Sequence, residues 1–128
     1  LEESVEVIAD PEQLRKVLNN IISNAIKYMD KKEPKIRFVL SDAGDFVEVE
    51  ISDNGKGIEK KDLPNIFERF FRTDAARNTE TGGSGIGLSI VKKIIEDSGG
   101  RIWAESELGE GTSIHFVLRK CFPQTRNH

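Results

Sequence analysis

Apolar residues recur every three or four positions between residues 10 and 29, at Leu14, Val17, Leu18, Ile21, Ile22, Ala25, Ile26 and Met29. This spacing is the period of an amphipathic helix with one broad apolar face. Asp10 suits the N-cap, Pro11 the first helical position, and Gln13 completes a pair with the cap that resembles a capping box. The pattern predicts a helix from Asp10 to Met29.

A second amphipathic pattern runs from about Gly85 to Ser98 and stops at two glycines. Its inward positions are Leu88, Val91, Ile94 and Ile95. Between the two helices, residues 53–72 begin with turn-forming residues and end in aromatics. Residues 73–84 are polar and glycine-containing without a period, so we expect a mobile segment there.

Alternation with a period of two, typical of strands, marks five segments: Ser4–Ala9, Lys35–Ser41, Asp45–Ser52, Arg101–Ser106 and Thr112–Lys120. The second and third form a predicted hairpin around Asp42–Asp45. Its apolar positions are Ile36, Phe38 and Leu40 on one strand, and Val47, Val49 and Ile51 on the other. One face of such a sheet is expected to be buried and the other solvated. In the last two strands the inward positions are Ile102, Ala104, Ile114, Phe116 and Leu118.

The order strand, helix, strand, strand, helix, strand, strand predicts an α+β fold. We expect a two-layer α/β sandwich in which helices cover one face of a mixed, mostly antiparallel sheet. The 128 residues are most simply one domain, 1–120, followed by a tail, 121–128. Because the sequence starts at Leu1 rather than at a methionine, we expect it to be a piece of a longer protein.

Composition narrows the possible functions. Hydrophobic residues make up 37% and charged residues 32%, as in a soluble globular protein, and the net charge of -3 gives no general affinity for nucleic acid. The single cysteine, Cys121, excludes an internal disulfide. No apolar run approaches the roughly 20 residues that span a bilayer, and no signal-peptide pattern opens the chain.

Candidate chemistry begins at the edge of the first helix, where Asn20, Asn24, Lys27 and Tyr28 project from one side. A solvated rim would explain them, but so would an oxygen ligand for a hard cation beside a phosphate-binding lysine. Asp53, at the end of a strand, either caps a turn or points into a cleft where it accepts an adenine amino group.

Glycines cluster between the predicted elements, and Gly83, Gly85 and Gly87 open the second helix, where free N–H groups attract phosphate. Neither a Rossmann fingerprint nor a Walker A loop fits this cluster. Three arginines, Arg69, Arg72 and Arg77, lie in or beside the segment expected to be mobile and are either solvated or part of a lid. His115 lies on the strand face opposite its apolar neighbours, and we interpret it as a surface histidine.

Five segments occur in the order and at roughly the spacing of a family's motifs: NNIISNAIKY, DNGKGI, FERFF, GGSGIGLS and GEGTSIHF. In these segments the chain resembles the ATP-binding catalytic domain of bacterial sensor histidine kinases, within the superfamily of gyrase, mismatch-repair and chaperone ATPases. The resemblance covers most of residues 10–118. It implies the Bergerat-type ATP-binding fold, an α/β sandwich with a movable lid.

The resemblance also implies roles for individual residues. Asn24 would bind the magnesium that bridges the ATP phosphates, Asn20 would face the same site, and Lys27 would contact phosphate. Tyr28 would line the adenine and ribose end, and Asp53 would accept the adenine amino group. The other implied cofactor-binding residues are Gly55, Gly57, Arg72, which can reach the γ-phosphate, Gly83, Gly85, Gly87 and Leu88. The implied aromatic box at the lid hinge is Phe67, Phe70 and Phe71.

The implied function is transfer of the γ-phosphoryl group of Mg-ATP to a histidine. Asn20 stands where the superfamily's ATPases carry a glutamate, which favours transfer over hydrolysis. The implied acceptor lies on a separate helical dimerisation domain of the parent, which in turn acts on a response regulator. The fragment itself is expected to be a monomeric cytoplasmic domain of a membrane-anchored sensor. The alternatives are a serine-kinase relative and an ATP-binding regulatory module whose catalysis has lapsed.

Overall fold

The computed structural model of the chain describes residues 6–68 and 87–121. Helix α1 spans Pro11–Lys27, strand β1 Ile36–Ala43, strand β2 Phe46–Asp53, a short 3-10 helix Leu63–Asn65, helix α2 Gly87–Asp97, strand β3 Ile102–Glu107 and strand β4 Gly111–Arg119. The two predicted helices and the last four predicted strands are therefore confirmed. The described part of the first predicted strand forms a single antiparallel bridge between Val7 and Lys120. Within the described ranges, no helix is long and apolar enough to cross a membrane.

Helix α1 begins where its capping residues predict. The Asp10 carboxylate accepts the backbone N–H of Glu12 at 2.9 Å and that of Gln13 at 3.4 Å. Such a cap satisfies amides that have no partner inside the helix, and its loss typically costs about 1 kcal/mol. The helix ends at Lys27, because Tyr28 leaves the helical conformation. The buried residues of α1 are Val17, Ile21 and Ala25.

The strands form one sheet in the order β1-β2-β4-β3, and all three pairings are antiparallel. Helices α1 and α2 pack over one face of this sheet. The core between the layers contains Val17 of α1, Val91 and Ile95 of α2 and Phe116 of β4, each 1% exposed or less. This arrangement confirms the predicted α+β fold, a two-layer sandwich with helices on one face.

Two apolar residues of β1 and one of α1 are more exposed than the sequence pattern indicated. Phe38 is 50% exposed, Leu40 52% and Ile26 63%. The expectation that Phe38 and Leu40 lie on a buried face is wrong because β1 is an edge strand. Among its apolar residues, Ile36 is the one that packs against the core. The helices bury only the part of the sheet that they lie over. The period-2 alternation therefore showed which residues of β1 share a face, but it did not show whether the helices cover that face.

His115 lies on the helix-free face of the sheet, as expected, but it is only 8% exposed. Its Nδ1 lies 3.0 Å from a carboxylate oxygen of Glu48, and its Nε2 lies 3.0 Å from one of Glu105. The imidazole also stacks on Trp103, with ring centroids 5.2 Å apart. The interpretation of His115 as a surface histidine is therefore wrong: β4 is a central strand, and side chains from both neighbouring strands cover the ring.

Candidate functional site

The C-terminal half of α1 faces the start of α2. The side-chain amide nitrogen of Asn20 donates a hydrogen bond to the Lys16 carbonyl at 2.8 Å. This bond turns the amide oxygen away from α1, and a methyl group placed on Gly87 would lie 3.0 Å from that oxygen. Two residues that the sequence proposes for one site, Asn20 and Gly87, are thus neighbours in the fold. Asn24 follows one turn later on α1 and is half-buried.

Tyr28, directly after α1, lies between two ammonium groups. Lys27 Nζ is 5.2 Å from the centroid of the Tyr28 ring, and Lys56 Nζ is 6.0 Å from it. Contacts in this range are attractive because the face of the ring is electron-rich. The sequence reasoning missed Lys56, although its place between two glycines of the DNGKGI segment was a signal for it.

Asp53 ends β2, and its carboxylate is held by two backbone amides. Its Oδ1 accepts the N–H of Gly55 at 2.8 Å and the N–H of Thr112 at 3.3 Å. The turn-capping interpretation of Asp53 is therefore correct. Since both bonds use Oδ1, the other carboxylate oxygen keeps its capacity to accept a hydrogen bond from a ligand.

The environment of Asp53 also changes its acidity. Burial raises its pKa, while the hydrogen bonds from Gly55 and Thr112 and the positive charge of Lys31 oppose that rise. A raised pKa means that the fold spends free energy on keeping this carboxylate charged at neutral pH. Carboxylates perturbed in this way are enriched at binding and catalytic sites.

The loop after Asp53 packs closely on the end of α1 and on the β3–β4 turn. The N–H of Lys56 donates to the Tyr28 carbonyl at 3.1 Å, and the Lys56 carbonyl accepts the N–H of Gly109 at 2.8 Å. A methyl group on Gly55 would lie 2.8 Å from the Tyr28 carbonyl oxygen, and one on Gly57 would meet the Glu107 carbonyl. Both glycines are thus required by close backbone packing in the structure itself.

A hydroxyl pair supports the loop from the sheet side. Ser106 Oγ accepts the N–H of Ile58 at 2.8 Å and lies 2.8 Å from the hydroxyl oxygen of Thr112. The sequence reasoning did not single out Ser106 or Thr112. Thr112 belongs to the GEGTSIHF segment, and its position directly after Gly111 was the available signal.

Several predicted site residues lie outside the described residues: Arg72, Gly83, Gly85, and the aromatic residues Phe70 and Phe71. Phe67, the remaining aromatic of the predicted box, and Leu88, in the first turn of α2, are partly buried and pack against the core.

The amide oxygen of Asn24 has donor chemistry that suits a hard cation. The described residues contain no cluster of three or more His, Cys, Asp or Glu side chains that could hold a metal ion. An amide oxygen such as that of Asn24 is a hard ligand, and Mg²⁺ commonly combines one or two protein oxygens with water and substrate phosphates. The residues present therefore fit magnesium that is bound together with a nucleotide.

The fold defines a class: two-layer α/β sandwich domains in which helices cover one face of an antiparallel sheet. The chain belongs to the family of histidine kinase-, DNA gyrase B- and HSP90-like ATPases, whose family model matches residues 9–121. The resemblance to the ATP-binding catalytic domain of sensor histidine kinases is thereby confirmed.

Among similar proteins, the sensor histidine kinase WalK of Bacillus subtilis is 40% identical over 110 residues, which are 85% of this chain and 18% of WalK. The sensor protein kinase WalK of Staphylococcus haemolyticus is 40% identical over 91% of this chain and 19% of its own length. The chain thus spans about a fifth of the length of these relatives.

Solved structures agree with this assignment. A mycobacterial sensor histidine kinase, MprB, superposes with a TM-score of 0.78 at 33% identity, covering 89% of this chain and 76% of that one. Full-length ShkA in complex with AMPPNP superposes with a TM-score of 0.74 at 27% identity, covering 92% of this chain and 24% of that one.

Proposed function

We propose that this domain binds Mg-ATP and donates the γ-phosphoryl group to a histidine on a separate helical dimerisation domain of its parent protein. The parent is then a two-component sensor kinase, anchored in a membrane, whose phosphorylated histidine supplies a response regulator. The observation that carries this proposal is the half-buried carboxylate of Asp53, held by two amides in a glycine loop that packs against the end of α1.

Asp53 is the proposed adenine-recognising residue. Its second oxygen accepts a hydrogen bond from the exocyclic amino group of adenine, and the bonds to Gly55 and Thr112 orient it. Guanine presents a carbonyl oxygen at the corresponding position, so a carboxylate there faces an acceptor and rejects it. Gly55 and Gly57 allow the loop to pack on the Tyr28 and Glu107 carbonyls. The family resemblance gives them the further role of leaving room for the base, with Tyr28 lining the adenine and ribose end.

The phosphates are proposed to lie towards α2. Lys27 contacts a phosphate, Asn24 contributes its amide oxygen to Mg²⁺, and Gly87 and Leu88 begin the helix that approaches the phosphates. Bound magnesium would neutralise phosphate charge. Arg72, Gly83 and Gly85 keep the phosphate-binding roles that the family resemblance implies.

Asn20 explains why transfer is favoured over hydrolysis. Its amide nitrogen donates one N–H to the Lys16 carbonyl, and its oxygen faces Gly87. An amide is a poor base at neutral pH, so Asn20 orients groups in the site without activating water. We therefore infer slow ATP hydrolysis by the isolated domain.

The test combines binding and transfer. Calorimetry with Mg-ATP and Mg-GTP should show preferential ATP binding, and an Asp53→Asn variant should lose roughly 1.5–3 kcal/mol of ATP-binding free energy. Incubation with Mg-ATP and the purified dimerisation domain in trans should then yield an acid-labile phosphoryl group on that domain. Equal affinity for ATP and GTP would contradict the role of Asp53. ATP binding without transfer would favour a module whose catalysis has lapsed, and acid-stable labelling would favour a serine kinase.

A further inference from the structure

Lys31 lies in the loop between α1 and β1, outside all five sequence segments that define the family resemblance. Its Nζ donates a hydrogen bond to the Gly55 carbonyl at 3.0 Å across 24 residues of sequence, and it lies 3.3 Å from an Asp30 carboxylate oxygen. About a third of the side chain is exposed. A surface lysine that bonds to a distant backbone carbonyl loses side-chain entropy, so the bond needs a reason.

The contacts of Gly55 supply that reason. The Gly55 N–H donates to Asp53, while the Gly55 carbonyl accepts from Lys31. This glycine is therefore held on both sides, and the Lys31 bond restrains the backbone on which the orientation of the Asp53 carboxylate depends. The neighbouring bonds, from Lys56 to Tyr28 and from Gly109 to Lys56, hold the next residue of the loop and leave the Gly55 carbonyl to Lys31.

Lys31 also acts on Asp53 through its charge. Burial raises the pKa of Asp53, and the positive charge of Lys31 lowers it. The other groups that lower it are the backbone amides of Gly55, in the same loop, and of Thr112, in β4. Among these influences, Lys31 is the one that carries a full positive charge.

We propose that Lys31 is a positioning residue for adenine recognition, which fixes the Gly55 carbonyl and thereby holds the Asp53 carboxylate in the orientation that accepts the adenine amino group. This inference rests on the proposed role of Asp53. In this proposal Lys31 acts through Gly55 and Asp53 rather than by a contact with the nucleotide. Its effect is therefore specific to the base, unlike that of a lysine that binds phosphate.

The test compares Lys31→Met with Lys32→Met in the 128-residue chain. Both variants remove one positive charge from the same loop, but Lys32 is an exposed neighbour. Calorimetry should measure affinity for ATP and for inosine triphosphate, which carries an oxygen in place of the adenine amino group. We expect Lys31→Met to weaken ATP binding about 5–10-fold, the scale of one hydrogen bond, and to change inosine triphosphate binding less than about twofold. Lys32→Met should change neither, and Lys31→Arg should restore most of the ATP affinity.

Two further readouts separate positioning from a purely structural role. Without the charge of Lys31, the pKa of Asp53 rises further. As the solution is acidified, the Lys31→Met variant should therefore lose ATP binding at a higher pH than the unsubstituted chain does. In an Asp53→Asn background, Lys31→Met should have little additional effect on ATP affinity. Thermal unfolding of each variant checks that it is folded.

The outcomes are distinguishable. Equal ATP affinity in Lys31→Met and Lys32→Met would overturn the role of Lys31, and so would an equal loss for ATP and inosine triphosphate, since that points to the phosphates or to the fold. Absence of ATP binding in the unsubstituted chain would instead overturn the proposed function, and the inference with it.

Discussion

The β3–β4 connection allows a sharp test of how the sheet supports the Asp53 loop, because it contains two glycines with different surroundings, Gly109 in the turn and Gly111 at the start of β4. Both have positive φ, 83° at Gly109 and 127° at Gly111. A methyl group on Gly109 would meet nothing within 4 Å. One on Gly111 would lie 2.8 Å from the carbonyl carbon of Asp53 and 2.9 Å from Cα of Asn54, and closer still to the Asp53 carbonyl oxygen.

The expected destabilisation follows from these distances. Gly109→Ala bears the cost of positive φ alone, about 1–2 kcal/mol. Gly111→Ala bears a similar cost, and its methyl group also overlaps the backbone of Asp53 and Asn54. Because backbone atoms cannot rotate away as a side chain can, this overlap should destabilise the fold by about a further 1–3 kcal/mol. For a domain of this size, each kcal/mol lowers Tm by about 3–5 °C. The overlap also displaces Asp53, so Gly111→Ala should weaken ATP binding while Gly109→Ala leaves it unchanged.

Urea unfolding of the two variants, with the m-value checked for constancy, measures the stability difference, and calorimetry with Mg-ATP measures the binding difference. A Gly111→Ala variant that is no less stable than Gly109→Ala would show that the predicted overlap with the Asp53 backbone has no energetic cost. Unchanged ATP affinity in a clearly destabilised Gly111→Ala variant would show that the turn does not transmit its displacement to Asp53.

Three further predictions concern the core, the cation and the carboxylate. Phe116→Ala should lower the free energy of unfolding in urea by about 3–5 kcal/mol, because the Phe116 ring is fully buried. Phe38→Ala should lower it by under about 1.5 kcal/mol, because Phe38 is half exposed. Similar losses in the two variants would mean that β1 is covered in solution. Asn24→Ala should remove the magnesium-dependent part of the ATP affinity measured by calorimetry, without lowering Tm. An unchanged affinity would mean that Asn24 is a solvated polar residue that does not bind magnesium. Burial raises the pKa of Asp53, so its protonation stabilises the fold at low pH, and this stabilisation is lost as the pH rises through the pKa of the folded state. Asp53→Asn should therefore raise Tm at neutral pH but not near pH 3. A gain in Tm that does not depend on pH would show that the charge of Asp53 is not its cause.

Much of the fold could be predicted from the sequence because it depends on local patterns. The 3.6-residue period of α1, its cap at Asp10 and the strand pattern of β4 each depend on residues within a few positions of one another. The structure confirms the helix, the cap and the strand, although β4 is buried on both faces rather than on one. Candidate site residues could be named in the same way, since asparagines one turn apart and an aspartate before a glycine loop are readable along the chain. The family resemblance implied that Asn20 faces the nucleotide site, and this stays a prediction; the structure shows that Asn20 lies next to Gly87.

Local patterns did not reveal which apolar and polar faces are covered or which distant residues support the site, because both depend on how the elements pack. Strand order places β1 at an edge and β4 at the centre, so Phe38 is half exposed while His115 is buried, the reverse of the expectation for both. The bonds from Thr112 and Lys31 to the Asp53 loop join residues 59 and 24 positions apart. Periodicity carries no information about such pairs, because their proximity results from how the sheet and helices pack together.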